Sequence, residues 1–356
     1  MYKLIRPLLF SLSKDPETVH NLALSFLKLG GLTPFSQILS SFANFSHASL
    51  QTKVFGLDFK NPVGLGAGFD KNAKVLSGLE ALGFGFLEMG TVTKLGQPGN
   101  PRPRLARFSE DEALINRMGF NNLGADKVAA RLSHTRKLKI PLGISLGKSK
   151  ITELTDAMQD YLYTFEKLYS YGDYFVVNIS SPNTPGLRQL QDKDALMKLI
   201  SALVAYRQGQ NIKKPLLVKI VIDFTYEAVN EILEVCKTCG VDGIICSNTS
   251  VGREGLSVAT NEVGGLSGKP IRQKSTEMIR YIHKQAPNLP IVGVGGIFTS
   301  EDAYEKIKAG ASLIQVYTGF IYEGPFIVKK INKGLVKLLQ KDGFKNISEA
   351  VGVDSW

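Results

Sequence analysis

The sequence predicts a closed (β/α)8 TIM barrel with a small N-terminal helical extension, and three observations carry that prediction. From about residue 54, eight short apolar runs alternate with amphipathic helical stretches. The runs are continuously apolar rather than alternating, the pattern of parallel strands covered on both faces. The repeating region also occupies roughly 265 residues, the usual size of such a barrel.

The first 50 residues stand apart from the repeat. "MYKLIRPLLFSLS" and "DPETVHNLALSFLKLGGL" read as two short helices. Their apolar faces are Leu4, Ile5, Leu8 and Leu9, then Val19, Leu22, Phe26 and Leu27. Asp15 suits an N-cap, Pro16 the first helical position, and the Gly30–Gly31 pair a helix stop. Two readings stand side by side here. The helices pack on the barrel's end, or, with Lys3, Arg6, Lys14 and Lys28 beside the apolar faces, they form an interfacial membrane anchor.

The strand runs then follow in order: "PVGLGAG" (62–68), "FGFLEMGTVT" (84–93), "PLGISLG" (141–147) and "YFVVNISS" (174–181). After them come "PLLVKIVI" (215–222), "VDGIICSNTS" (241–250), "PIVGVGGI" (290–297) and "LIQVYTGF" (313–320). Helical spacing fills the gaps, as over 155–171 and 224–238. "GLGAG" lacks the G-x-G-x-x-G spacing of a dinucleotide fold and has no acidic residue closing a second strand, which excludes that fold. The boundaries expected are a helical unit over 1–50, the barrel over 51–340 and a tail over 341–356.

The net charge of +11 favours anionic partners, but no lysine–arginine block interleaved with aromatics appears, so nucleic acid is not expected. Cys236 and Cys239 have redox-like "CKTC" spacing without a second pair or a nearby histidine, so with Cys246 they read as reduced thiols and no metal is expected. There is no 20-residue apolar span.

In such barrels the chemistry sits at the carboxyl ends of the strands. Here these ends read "GFDKN", "GTVT", "SLGKS", "NISSPN", "VKIVID", "SNTS", "GVGG" and "VYTG". Lysine, asparagine and hydroxyl side chains recur, whereas acid pairs and histidines do not. That donor set suits amide-like and anionic ligands better than metal ions or glycosidic acid–base chemistry.

With the strand ends assembled, the chain closely resembles the class 2 dihydroorotate dehydrogenases, the membrane-associated, quinone-reducing form. The resemblance runs nearly end to end. It is carried by "LINRMGFNN" (114–122), "NISSPNTPGLR" (178–188), "SNTS" (247–250), "GGLSGKP" (264–270), "VGVGGI" (292–297) and "YTGFIYEGP" (317–325). It implies oxidation of dihydroorotate to orotate in pyrimidine synthesis, with hydride passing to bound FMN and electrons then to a membrane quinone. By family position, FMN is held by Gly268, Gly295, Gly296, Tyr317 and Thr318 around the phosphate. Ala67, Gly68, Thr91, Ser145, Asn178, Lys219, Ser247 and Ser267 flank the ring.

The same resemblance assigns the substrate to Lys71 for its carboxylate and to Asn116, Asn178, Asn183, Asn248 and Thr249 for its amide edges. Met118, Gly119 and Phe120 lie beside it. Ser181 is the implied base, and activity that rises toward alkaline pH is expected, because a serine hydroxyl is a poor base near neutrality. The soluble relatives carry cysteine at that position, so serine argues for quinone as oxidant. His20 and Arg107 match positions that meet the quinone head in a tunnel built by the N-terminal helices. The chain departs from the family at Ser145 and Ser149, where asparagines are usual, and at Gly66, where alanine is usual. A monomer on the cytoplasmic face of a bacterial inner membrane is expected, or the mitochondrial inner membrane in a eukaryote.

Overall fold

The computed structural model describes residues 2–11, 13, 15–180, 183 and 192–355. Each of the eight apolar runs supplies one strand of a closed parallel barrel. The strands are β1 (Val63–Leu65), β2 (Phe86–Val92), β3 (Leu142–Leu146), β4 (Tyr174–Asn178), β5 (Leu216–Ile220), β6 (Gly243–Cys246), β7 (Ile291–Val294) and β8 (Ala311–Val316). They pair in sequence order, and β8 closes the ring on β1 through Ile314 opposite Val63. The expected helical pattern over 224–238 becomes Tyr226–Cys239, opened by Thr225 Oγ1 accepting from Ala228 N–H and closed by left-handed Gly240. Cys236 is buried in its last turn, where burial pushes the thiol pKa up to about 12, and all three cysteines are free.

Alternate residues of a strand share a face, so the barrel interior is laid down in layers. The lower layer is an apolar plug of Phe86, Tyr174, Val176, Leu217, Ile245, Val292 and Leu313. A hairpin the sequence reading missed, with strands Thr52–Val54 and Leu57–Phe59, seals that end with Val54 and Phe59. Gly64 and Gly143 make room for the rings of this plug. A Cβ on Gly64 would stand 2.3 Å from Phe86 Cζ, and one on Gly143 would stand 2.1 Å from Tyr174 Cζ. Two residues further along the same strands, the inward positions turn polar: Glu88, Ser145, Asn178, Lys219 and Gln315. All five are buried.

A three-stranded antiparallel sheet, Leu105–Phe108, Ala113–Asn116 and Gly265–Gly268, lies outside the barrel. It joins the "LINRMG" and "GGLSG" segments, which are far apart in sequence, at the carboxyl end of the strands.

The N-terminal segment forms α1 (Tyr2–Ser11), α2 (Pro16–Gly30) and a third helix, α3 (Phe35–Ala43), which the sequence reading missed. Asp15 caps α2 as expected, its carboxylate accepting from Glu17 N–H at 3.0 Å. The apolar faces divide between two environments. Leu9, Val19 and Leu27 are half-buried and line a cavity, Leu22 and Phe26 line it while staying exposed, and Leu4, Ile5 and Leu8 are exposed without touching it. In α2 only Glu17 is buried among the described residues. Helices α2 and α3 meet at 106°; neither is long and apolar enough alone to cross a membrane, but together they match a bent span in length and composition.

Candidate active site

One cavity of about 520 Å³ runs from the polar interior layer of the barrel out between α1 and α2. Its two ends differ in chemistry.

The inner end collects the strand-end residues. Lys71, Asn116, Met118, Gly119, Phe120, Asn178, Asn183, Asn248 and Thr249 all line it. The asparagines hold one another. Asn248 Nδ2 donates to Ser180 Oγ at 3.0 Å and to Asn178 Oδ1 at 3.4 Å. Asn183 Nδ2 donates to the Asn116 carbonyl at 3.1 Å, and Asn116 Nδ2 donates to the Gly265 carbonyl at 3.3 Å. Lys71 Nζ donates to the Gly68 carbonyl at 2.6 Å. Burial lowers the Lys71 pKa to about 8, with Glu17 pulling it back upward. This partly desolvated cation is set for a carboxylate, beside amides that both donate and accept.

On the floor and far wall, Ala67, Gly68, Thr91, Lys219, Ser247, Ser267, Gly268, Gly295, Gly296, Tyr317 and Thr318 line the same cavity. Asn178 Nδ2 donates to Thr91 Oγ1 at 2.9 Å, and Thr318 Oγ1 donates to Ser267 Oγ at 2.9 Å. Burial pushes the Tyr317 hydroxyl pKa upward. Ser145 departs from the expected pattern: it is fully buried behind Thr91, paired Oγ to Oγ1 at 2.9 Å, and does not line the cavity. The shorter side chain stops at Thr91 and reaches the cavity only through it. Ser149 is likewise turned away, its Oγ donating to Asp160 Oδ1 at 3.2 Å. Ser181 lies outside the described residues; its described neighbour Ser180 is buried, with its Oγ donating to Asn178 Oδ1 at 3.3 Å.

Would this floor hold a flavin mononucleotide? The donor set fits one: a lysine that donates to no described residue, hydroxyls on Thr91, Ser247, Ser267 and Thr318, and paired glycines after β7 at the phosphate-binding corner of such barrels.

The outer end is apolar. Leu9, Phe10, Val19, Ala23, Phe26 and Leu27 line it from the helices. His20 meets Phe69 edge-on with ring centroids 4.8 Å apart. Burial, with the Lys71 charge adding to it, lowers the His20 pKa to about 4, so the ring is neutral near pH 7. Arg107 lies over the Phe10 ring, 4.0 Å from its centroid, and Nη2 donates to the Phe10 carbonyl at 3.0 Å.

Sequence reasoning missed two carboxylates at this site. Glu17 accepts from Arg104 Nε at 2.9 Å and Nη2 at 2.7 Å, and from Arg102 Nη2 at 2.9 Å. Burial alone would raise its pKa, but the two guanidiniums outweigh that and hold it below the usual carboxylate range. Arg104 Nη1 also donates to the Pro98 and Asn100 carbonyls, and Asn100 Nδ2 to the Asn183 carbonyl at 3.4 Å, so α2 is tied to the rim of the inner end. Glu88 lies beneath the floor. Its sequence signal was legible: a charge at an inward position of "FLEMGTV", where every other residue is apolar, glycine or threonine.

Comparison with known proteins agrees with this geometry. The family model for dihydroorotate dehydrogenase matches residues 49–339. A "dihydroorotate dehydrogenase (quinone)" of Gloeobacter violaceus is 51% identical over 353 residues, covering 99% of this chain and 98% of the relative. A protein of the same name from Natronomonas pharaonis is 49% identical over 356 residues, covering 99% of each. A crystal structure of DHODH from Eimeria tenella in complex with ferulenol superposes with a TM-score of 0.90 at 35% identity, covering 98% of both chains. Fold, strand-end chemistry and near full-length similarity converge: the chain belongs to the dihydroorotate dehydrogenase family, whose members are oxidoreductases.

Proposed function

We propose that the protein oxidises dihydroorotate to orotate in pyrimidine synthesis and delivers the electrons to a quinone, with FMN as its bound cofactor. The observation that carries this reading is the single cavity with two unlike ends, one built for a small amide-bearing anion and one for an apolar molecule. When bound, FMN would supply the hydride acceptor and the passage of electrons between the two substrates.

The chain's own residues do the rest. Lys71 pairs with the substrate carboxylate, and Asn116, Asn178, Asn183 and Asn248 with Thr249 orient the ring through its amide edges. Met118, Gly119 and Phe120 wall the ring off from water. Ser181 takes the C5 proton, its place in the motif being the support for that role. Lys219, Thr91, Ser247 and Ser267 hold the flavin ring, with Ala67 and Gly68 beside it, and Ser145 and Asn178 orient Thr91. Gly268, Gly295, Gly296, Tyr317 and Thr318 hold the phosphate. His20, neutral, and Arg107, charged, meet the quinone head. The helical unit over 1–50 lies on the membrane surface with Leu29, Phe35, Ile38 and Phe42 outward, on the cytoplasmic face of a bacterial inner membrane. The barrel acts as a monomer.

The test is anaerobic. Dihydroorotate bleaches the flavin absorbance of the purified protein, and a quinone restores it. A colourless protein, or a flavin that dihydroorotate leaves oxidised, overturns the reading.

A further inference from the structure

Beneath the cavity floor, β2 carries Glu88, whose side chain has no solvent exposure. It occupies the inward position two residues beyond Phe86 of the apolar plug. Its two oxygens are treated differently. Oε2 accepts from Gln315 Nε2 at 2.6 Å. Oε1 is buried, accepts no hydrogen bond from the described residues, and faces Lys219 Nζ at 3.7 Å. That separation is an ion pair without a hydrogen bond. Lys219 lines the cavity and Glu88 does not.

A buried pair kept for stability is tight and fully hydrogen-bonded, because desolvating two charges costs several kcal/mol each. This pair is neither, and an apolar layer like the one below it would fill the same space. What the arrangement does supply is control of charge. In a low-dielectric interior a carboxylate 3.7 Å from an ammonium strongly offsets the field that the ammonium projects into the cavity.

We propose that Glu88 is a positioning residue that sets how much positive charge Lys219 presents to the flavin, and thereby its reduction potential. This rests on the reading that the floor holds FMN. Negative charge builds up on a flavin ring as it is reduced, so an unopposed Lys219 would favour the reduced state and hold its electrons back from the second acceptor. Glu88 moderates that hold. Gln315 fixes the carboxylate in place, and Lys219 keeps its own donors free for the ring.

The test uses the FMN-loaded full-length protein and two readouts other than turnover. Sulfite, which adds to flavin N5 and leaves the ring anionic, is titrated against absorbance, and the flavin potential is measured against reference dyes. In Glu88→Gln the sulfite dissociation constant falls at least tenfold and the potential moves positive; tenfold in a two-electron equilibrium is about 30 mV. In a Lys219→Met background the same substitution produces no further tightening. If Glu88→Gln does not accumulate as folded protein, Glu88→Asp moves the carboxylate one methylene away and shifts both readouts in the same sense by a smaller factor. Values within twofold of the parent in the folded variants, or an equal shift without Lys219, overturn the proposal. A parent protein that carries no flavin overturns the FMN reading instead, and is seen before any variant is made.

Discussion

The two ends of the cavity are held in place by opposite means. At the inner end, polar side chains project from strands whose register is fixed by an unbroken hydrogen-bonded ring and by the apolar plug below. At the outer end, apolar side chains project from helices that bury little of their own apolar surface. Leu8 is 66% exposed and Phe26 65% exposed. Those helices are docked by a few apolar residues, Phe10, Leu24, Leu27 and Leu39, and by polar contacts: Glu17 with Arg104 and Arg102, Tyr2 Oη to the Ile321 carbonyl at 2.8 Å, and Arg6 to Glu112 at 3.2 Å. Hydrophobic burial therefore builds the chemical end. The access end leaves much of its hydrophobic surface exposed, which is the surface the proposed membrane-lying arrangement would use.

The strongest way to break that comparison is to remove one end. Deleting residues 1–50 is expected to abolish quinone reduction and its stimulation by detergent, while dihydroorotate still bleaches the flavin of the remaining barrel. Full activity of the truncated chain with a water-soluble quinone, without membrane association, would show that the two ends are not divided in this way.

Ser181→Ala probes the inner end. Turnover is expected to fall by about 10³-fold, within the range for losing a positioned base, while FMN stays bound. Loss of the flavin with the activity would make Ser181 a structural residue.

Glu17→Gln sharpens the outer end. Removing one partner of a buried, bidentate pair costs about 3–5 kcal/mol, felt here as undocking of α2 rather than unfolding of the barrel. Hydrogen exchange should rise in α2 and leave the barrel strands protected. Acid should act in the same direction. The depressed Glu17 carboxyl gives stability that is lost as pH falls through its folded pKa. His20, lowered to about 4 from an ordinary value near 6.5, binds its proton more readily when undocked, so stability falls as pH drops from 6.5 toward 4. Equal loosening of barrel and helices across that range would contradict the division.

The smallest effect is the pH dependence of substrate binding. Lys71 titrates near 8 in the free protein, so it loses its charge above that value. The KM for dihydroorotate is expected to rise up to tenfold per pH unit above about 8, while kcat continues to rise as Ser181 becomes a better base. A flat KM up to pH 10 would remove Lys71 from the carboxylate site. The lowered value also means that Lys71's own contribution to stability grows between pH 8 and 10.5, since at this group the unfolded chain there binds more protons.

Much of this was legible in the chain itself. Eight continuous apolar runs dictated eight buried parallel strands, because residues covered on both faces leave no polar alternation. The strand ends announced the inner site, since in a closed barrel every carboxyl end opens on one face. Asp15 and Pro16 announced the start of α2. The misses share a physical cause. Helix α3 carries no capping side chain, and the sheet uniting Leu114, Asn116 and Ser267 pairs strands about 150 residues apart, which local periodicity cannot register. The "SLGKS" serines were readable as departures, yet that Ser145 stops at Thr91 depends on a neighbouring strand.

The sequence by itself thus determined the periodicities, the caps and the kinds of side chain at each strand end, all properties of residues a few positions apart. Only the tertiary structure decided which buried charges meet. Glu88 and Gln315 are 227 residues apart and Glu17 and Arg104 are 87 apart, and these partnerships exist because barrel closure and helix docking bring them together out of water, where an unpaired charge cannot stay.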